Sequence, residues 1–396
     1  MSVVAGWREV CLAAAVNFPP RTLDDPATLR VSSDRGPGRW ICPIVGTLAL
    51  LAGSALTLVT VSAPVSAAPR LLAWVDAGAE ISASAAGEPR LTEPFGVAFG
   101  PGGTPFVVEM VTGNRVLEVR APGKLGRIAG RQEPGDLGDG GPALDAQFRG
   151  PHGIVALANG DLLIADTWNG RIRRIDTASG RISSLPGYAV AANLARTAGP
   201  YSISLDPAGQ RVVIADLRQV HVVSLVTGVG EVVAGNGEKG VPVDGARAKD
   251  APLVDPRAAV YDRHGNLYIL ERKGHALRVV DPEGRIRTVV NRAGKQGAGG
   301  DDGDAREATL NGPKHLCMDK DDSVIIADAE NDLIRRFVPA TGRIHRVAGT
   351  GRRGAAGVGG SPLACELNRP HGVTLHPDGS LIIVDSYNHR LLQLVP

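Results

Sequence analysis

The sequence predicts an all-β fold built from six copies of one unit. Each unit opens with a proline that precedes a short apolar run, and no segment keeps a sustained helical period of apolar residues. The anchor prolines are Pro94, Pro151, Pro200, Pro256, Pro313 and Pro370. Their spacings run from 49 to 57 residues, and a period in this range indicates a repeat architecture.

The unit that opens at Pro151 contains four strand patterns separated by turns. We expect strands at Gly153–Leu157, Leu162–Ala165, Arg171–Ile175 and Arg181–Leu185. The connecting segments are rich in Asn, Asp and Gly, which are typical of turns. Four-stranded units repeated around an axis form a propeller, so the sequence predicts a six-bladed β-propeller of four-stranded antiparallel blades.

The last unit lacks its fourth strand, because the sequence ends after the third, Leu391–Val395. Near the other end, Leu71–Val75 is followed by Asp76-Ala77-Gly78, which resembles the endings of fourth strands elsewhere in the chain. We predict that Leu71–Val75 pairs with Leu391–Val395. This pairing closes the ring and covers two sheet edges that would otherwise be open to aggregation.

A column of acidic residues supports the alignment of the units. It stands fifteen residues after the anchor proline in five units and sixteen in the third, at Glu109, Asp166, Asp216, Glu271, Asp328 and Asp385. Catalytic groups are not repeated identically around a ring, so we interpret the column as structural. Each carboxylate is expected to accept backbone N–H bonds in the loop that follows it.

The composition excludes several classes of protein. Of 396 residues, 43 are Lys or Arg and 41 are Asp or Glu, so the formal net charge is +2 and there is no basic footprint for nucleic acid. The hydrophobic fraction of 43% is that of a globular chain, and four cysteines are too few for a disulfide scaffold. We expect a monomer whose Cys317 and Cys365 act as buried small hydrophobes.

Residues 1–67 are predicted to be a leader and secretory signal peptide. The segment Trp40–Val65 is almost wholly apolar, follows Arg35 and Arg39, and runs into a small-residue cleavage pattern that ends at Ala67. An uncleaved segment that anchors the protein in a membrane is the alternative.

The mature chain is then one propeller domain, residues 68–396, without a membrane span and in an extracytoplasmic compartment, periplasmic or secreted. The polar leader 1–30 is unusual ahead of a signal peptide, which leaves Val31 as an alternative start.

Three segments resemble the NHL repeat: Asp166–Ile172, Asp328–Ile334 and Asp385–Leu391. The Gly-rich connector Gly138–Ala143 is similar to those of exported bacterial NHL proteins. The resemblance implies the propeller fold over residues 71–396. It does not imply one function, because NHL propellers include binding scaffolds, sensor domains and a few enzymes.

The residue after each anchor proline is expected at the mouth of the central channel, since the first strand of each blade lines that channel. These six residues, called the ring below, are Phe95, His152, Tyr201, Arg257, Lys314 and His371. They include no acid. The next position is small in five units and is His315 in the fifth, where strand alternation is expected to turn it to the other face.

One hypothesis for the ring is a catalytic site. His152 and His371 stand in Pro-His-Gly segments similar to those of the peptidyl-hydroxyglycine amidating lyases, propellers that hold zinc with three channel histidines. The resemblance implies an exported lyase or hydrolase that uses His152, His371 and Tyr201, with or without zinc. The blade where a third histidine is needed carries Arg257 instead.

A second hypothesis is an anion site. Arg257, Lys314 and His371 stand on three successive blades, and a channel mouth concentrates their field on a carboxylate, sulfate or phosphate. Pairing of Arg257 with Asp255 or Glu93 would weaken this reading.

A calcium site of the gluconolactonase type is less favoured, because its metal needs carboxylate and amide oxygens that the ring lacks.

The leading prediction is a non-catalytic scaffold without a cofactor. It would bind a protein or a small anionic ligand at the channel mouth or on the loop face. The alternative is the lyase or hydrolase.

Overall fold

The computed structural model describes residues 45–52, 55–62, 68–75, 80–82, 91–121, 124–188 and 199–395. The chain divides into two compact units, Met1–Val65 and Ser66–Pro396. In the first unit, the strands Val45–Ala52 and Ala55–Ser62 pair antiparallel. The polar leader and the cleavage pattern that ends at Ala67 lie outside the described residues. No helix in the described ranges is long and apolar enough to cross a membrane.

Six four-stranded antiparallel sheets form the blades of the second unit, as predicted. Blade 1 contains the strands Pro94–Phe99, Pro105–Glu109, Arg115–Ala121 and Lys124–Ala129. Blade 2 contains Gly153–Ala156, Leu162–Asp166, Arg171–Asp176 and Arg181–Ser184. Blade 3 contains Ser202–Leu205, Arg211–Ala215, Val220–Ser224 and Gly230–Ala234. The strand bounds in blade 2 match the predicted ones to within a residue at each end.

The remaining blades repeat the pattern. Blade 4 contains Pro256–Tyr261, Leu267–Glu271, Ala276–Val280 and Ile286–Val290. Blade 5 contains His315–Met318, Val324–Asp328, Leu333–Val338 and Arg343–Ala348. Blade 6 contains Gly372–Leu375, Leu381–Asp385, Arg390–Val395 and the closing strand Arg70–Val75. The short strands Glu80–Ser82 and Gly303–Asp304 extend blades 1 and 5 at their outer edges.

The first strands of neighbouring blades contact one another all the way round, including blade 6 with blade 1. The second strand of most blades is buried along its whole length and reads as an apolar run that ends in an acid, as in Leu162–Asp166 and Leu381–Asp385. Such a strand has both faces covered because the sheets stack on each other. Short 3-10 turns stand in the loops at Pro101–Gly103, Ala143–Asp145, Thr167–Asn169, Ala248–Asp250, Ala329–Asn331, Pro362–Ala364 and Ser386–Asn388.

The closing strand confirms the predicted ring closure. Val75 pairs with Leu391 and Leu71 pairs with Leu394, with a register shift between Leu391 and Leu392. Leu71 is fully buried and packs in one cluster with Cys365. The two free cysteines of the described region are Cys365, which is buried, and Cys317, which is half-buried.

The acid column is structural, but five of its six carboxylates bind a segment that the sequence did not indicate. They accept the backbone N–H of the residue two positions before the anchor proline of their own blade, as Asp385 does from Asn368 at 2.7 Å. The equivalent donors are Thr92, Arg149, Val254 and Asn311. Among the six, only Asp216 accepts backbone N–H groups of the loop that follows, from Arg218 and Gln219. The expectation that all six would do so is wrong, because the extended segment before the proline has free N–H groups that reach the same strand end.

Each of these buried carboxylates also has a basic partner. Asp385 lies 2.6 Å from Arg390 Nε, and the Asn388 side chain donates to it at 2.8 Å. Arg390 in turn donates to the carbonyls of Ala355 and Glu366 in the connector before blade 6. The acid therefore joins the second strand, the third strand and the approach to the anchor proline.

Side chains at the start of the third strands join neighbouring blades. Each accepts the backbone N–H of the residue just before the next anchor proline, at 2.7–3.0 Å. The four acceptor–donor pairs are Asn114–Gly150, His275–Gly312, Asp332–Arg369 and His389–Glu93. These contacts align the anchor prolines of adjacent blades.

Shortening a buried side chain of the closing strand is expected to destabilise the whole propeller. Leu71→Ala removes a buried side chain from the seam between the two ends of the ring, so the free energy of unfolding should fall by about 2–5 kcal/mol. Urea denaturation of the full chain measures the loss. The exposed Ala73→Ser in the same strand is the matched control. Equal stability of the two variants would contradict closure by this strand.

Removing one buried acid is expected to cost more than removing an exposed one. Asp385→Ala leaves the Arg390 charge buried without its carboxylate, and we expect a loss of about 3–5 kcal/mol in the free energy of unfolding. Asp321→Ala is the control, since Asp321 pairs with Arg336 at the surface and such pairs are worth about 1 kcal/mol or less. Similar denaturation midpoints for both variants would show that the column does not hold the fold.

Candidate functional site

All six ring residues line one cavity of about 340 Å³ at a mouth of the channel. A second cavity of about 300 Å³ is the channel itself, lined by residues of the first strands of all six blades. The sequence therefore located the mouth correctly, because the anchor proline fixes where each first strand begins.

His315 departs from the expectation that it would face away from the cavity. It lines both the mouth cavity and the channel. Its Nδ1 lies 3.5 Å from the backbone N–H of Val373 on the next blade, and burial lowers its pKa to about 4. The correction has a steric reason: the equivalent positions are Gly, Ser or Ala, so the axis has room for a single large side chain.

Four further wall residues were missed by the sequence reasoning: Met110, Trp168, Arg272 and Tyr387. Each stands one or two positions after the acid column, in the loop that leaves the second strand. The 3-10 turns Thr167–Asn169 and Ser386–Asn388 carry two of them. The repeat could have indicated these residues, since the buried acid fixes the place of the one or two residues that follow it.

Aromatic and imidazole rings form one side of the cavity. The Phe95 ring stacks on His371 with centroids 4.1 Å apart and meets His152 edge-on at 4.9 Å. His152 also contacts Trp168 and Tyr201 edge-on, at 6.0 and 5.4 Å. These contacts fix the ring orientations, so the wall is formed before any ligand arrives.

The two ring histidines are neutral. Burial, together with the charges of Arg257 and Lys314, lowers the pKa of His152 to about 3. Its Nδ1 lies 2.7 Å from the Gly150 carbonyl, so Nδ1 carries the proton and Nε2 keeps a lone pair. Burial also holds the pKa of His371 well below the usual range, and its Nδ1 has no hydrogen-bond partner among the described residues.

Cations form the other side of the cavity. The Arg257 guanidinium lies over the Tyr201 ring, 3.4 Å from its centroid. Arg257 Nε is 3.1 Å from Asp255 Oδ1 in a geometry that makes no hydrogen bond, and Arg272 Nε donates to the same carboxylate at 2.8 Å. The anticipated pairing of Arg257 with Asp255 is therefore present, but two arginines share that one carboxylate.

Lys314 completes the cationic side. Its Nζ lies 3.9 Å from Glu330, whose carboxylate is 2.9 Å from Arg369. Counting these partners, four cations face two carboxylates, which leaves a surplus of two positive charges. Burial, followed by the charges of Arg272 and Arg257, lowers the pKa of Lys314 to about 8.

The ring does not fit the zinc hypothesis. Phe95 contacts both His152 and His371 and lies between them in blade order. The described residues contain no group of three or more His, Cys, Asp or Glu side chains placed to hold a metal ion. Catalytic zinc usually has three protein ligands.

The fold and the cavity together define a six-bladed β-propeller with a ligand-sized cavity at one channel mouth. The family model of the NHL repeat matches residues 148–175 and 367–394, in blades 2 and 6. The chain therefore carries NHL repeats, as the segments Asp166–Ile172 and Asp385–Leu391 predicted.

Two curated relatives share part of this domain. Protein SUPPRESSOR OF QUENCHING 1, chloroplastic, of Arabidopsis thaliana is 25% identical over 271 residues, which are 62% of this chain and 25% of that protein. Teneurin-1 of Homo sapiens is 26% identical over 221 residues, 49% of this chain and 8% of its own length. The match thus spans a quarter or less of these relatives.

Solved structures share the architecture. An auxiliary nutrient binding protein from Bacteroides ovatus superposes with a TM-score of 0.59 at 15% identity, covering 83% of this chain and 77% of its own. A gluconolactonase from Xanthomonas campestris gives a TM-score of 0.52 at 14% identity, with coverages of 82% and 89%. At such identities the likeness shows the fold alone.

Proposed function

We propose that this propeller is a binding module that takes a small anionic ligand into the cavity at the channel mouth, without catalysis. The observation that carries the proposal is the make-up of the wall. Among the described residues that line the cavity, Arg257, Arg272 and Lys314 are cationic and none is Asp or Glu.

Electrostatics at this site favours an anion for two reasons. The surplus of positive charge lies at a narrow mouth with low-dielectric walls, which concentrates the field on an entering ligand. The neutral imidazoles of His152 and His371 add polar atoms without adding a charge that pH would change near neutrality. Arginine presents a planar fork that matches a carboxylate, and the Arg272 side chain is 28% exposed.

A lyase or hydrolase without a metal is the second candidate. It is favoured by one observation: Lys314, whose pKa is about 8, shares a cavity with two imidazoles that stay neutral, and an amine with a pKa near the working pH can act as a general base. The two functions separate on the fate of the ligand. A binding module returns it unchanged, whereas an enzyme changes its mass.

Removing one cavity cation is expected to weaken anion binding. Titration calorimetry of the full chain with acetate at constant ionic strength should show saturable binding. In Arg272→Gln the dissociation constant should rise about tenfold through loss of one charged contact. Arg263→Gln is the matched control, since Arg263 pairs with Asp322 on the outer surface. Absence of acetate binding, or equal loss in both variants, would overturn the proposal.

Acetate binding is expected to weaken as the pH rises through about 8. Lys314 is protonated below its pKa and loses its charge above it, while acetate keeps the same charge throughout. A bound anion favours protonated Lys314, so the midpoint should lie at or somewhat above 8. His152 and His315, with pKa values of about 3 and about 4, stay neutral over this range.

The control for this pH effect is Lys314→Arg, whose guanidinium remains charged. Its affinity for acetate should be nearly flat between about pH 7 and 10. The same decline in Lys314→Arg as in the unaltered protein would assign the pH effect to another group and count against the anion site.

A further inference from the structure

We propose that the ligand is a planar aromatic carboxylate, held with its ring among the aromatic side chains and its carboxylate among the cations. This inference rests on the proposed anion-binding function and specifies the chemical class of ligand. It follows from how the blades divide the cavity wall into two halves.

The division follows the order of the blades. Blades 6, 1, 2 and 3 supply six rings, at Tyr387, His371, Phe95, His152, Trp168 and Tyr201, and His315 on blade 5 supplies a seventh. Blades 4 and 5 supply the cations, at Arg257, Arg272 and Lys314. In a ring of six, blade 4 lies opposite blade 1 and blade 5 lies opposite blade 2. A ligand that satisfies both halves therefore has its apolar ring and its anionic group at opposite ends.

Trp168 and Tyr387 stand on the blades either side of Phe95, and each contacts a ring histidine, at 6.0 and 5.5 Å. Both are suited to receive a flat ring. Trp168 packs against Gly150, where an added Cβ would lie 2.5 Å from the indole, so the glycine lets it lie against the backbone. Tyr387 has Arg369 over its ring at 5.4 Å and is 39% exposed. Aromatic pairs gain energy beyond the area they bury when they stack or meet edge to face.

Two buried polar atoms on the wall have no hydrogen-bond partner among the described residues. They are Arg257 Nε and His371 Nδ1, on residues that are 7% and 5% exposed. Buried polar groups are rarely left unpaired, because the desolvation cost is then uncompensated. Arg257 Nε nevertheless lies 3.1 Å from Asp255 Oδ1 and keeps that ion-pair partner, so His371 Nδ1 is the atom of the two for which a polar group of the ligand would be a partner.

An acidic sugar fits the same charge but fits the wall poorly. Sugar hydroxyls need hydrogen-bond partners around the whole ring. The described residues that line the cavity include no Asp, Glu, Asn, Gln, Ser or Thr. The rings of Phe95 and Trp168 and the thioether of Met110 offer apolar contact instead, which suits an aromatic body.

Four probes test the proposal by separating the contribution of an aromatic ring from that of a negative charge. Each is titrated into the full chain by calorimetry. They are 2-naphthoate, acetate, 2-naphthalenemethanol and glucuronate. We expect 2-naphthoate to bind at least about tenfold more tightly than each of the others, since only it engages both halves. Mass spectrometry of the recovered 2-naphthoate should show it unchanged.

Trp168 supplies the matched variants. Trp168→Leu should weaken 2-naphthoate about tenfold and change acetate by less than about twofold, whereas Trp168→Phe, which keeps a ring, should retain most of the affinity. Thermal melts of both variants check that the fold is intact. A Trp168→Leu loss that extends equally to acetate would assign the effect to structure and overturn the aromatic half.

The outcomes separate this inference from the proposed function. If acetate and glucuronate bind as tightly as 2-naphthoate, the aromatic inference is wrong and the anion site stands. If 2-naphthalenemethanol binds as tightly as 2-naphthoate, the ligand's charge does not contribute to affinity. Both the anion-binding function and the aromatic carboxylate inference then fail. If no probe binds, the proposed function fails. A changed mass of the recovered ligand would favour the enzyme.

Discussion

The buried carboxylate at the end of each second strand is the interaction on which the rest of the structure depends. In blade 6, Asp385 accepts the Asn368 N–H, and the chain reaches Pro370 two residues later and His371 directly after it. The same acid binds Arg390 of the third strand and Asn388 of the intervening turn. One side chain thus sets the start of the first strand relative to the second and third. Because the carboxylate is fully buried, the geometry is maintained by partners that water cannot replace.

Contacts between blades extend this local order across four of the six blade junctions. The backbone N–H of the residue before an anchor proline donates to a side chain of the preceding blade, as that of Arg369 does to Asp332. His389 makes the corresponding contact to Glu93, across the point where the ring closes. In blades 1, 2, 5 and 6 the residue just after the proline is therefore held by its own blade on one side and by a neighbour on the other. These contacts help to explain why ring residues far apart in sequence line one cavity.

The sequence predicted these repeated features well and the unrepeated ones poorly. The ring from Phe95 to His371 was found because anchor spacing alone determines it. His315 was misplaced because side-chain alternation assumes neighbours of ordinary size, and the small residues around the axis remove that constraint. The donors to the acid column were missed because they lie seventeen residues upstream, at a distance that no local turn pattern reports. The cleavage after Ala67 stays a prediction.

The difference between repeated and unrepeated positions also explains how a uniform scaffold carries an asymmetric site. The buried acids that hold the fold, such as Asp385, recur at nearly the same position in every blade, so they do not make one side of the cavity different from the other. The asymmetry comes from positions that the scaffold leaves free, where blade 1 has Phe95 and blade 4 has Arg257. Asp255 pairs with both Arg257 and Arg272. It neutralises part of their charge and holds both side chains at the cavity wall. A single carboxylate cannot satisfy both, and the remaining positive charge is what an anion would meet.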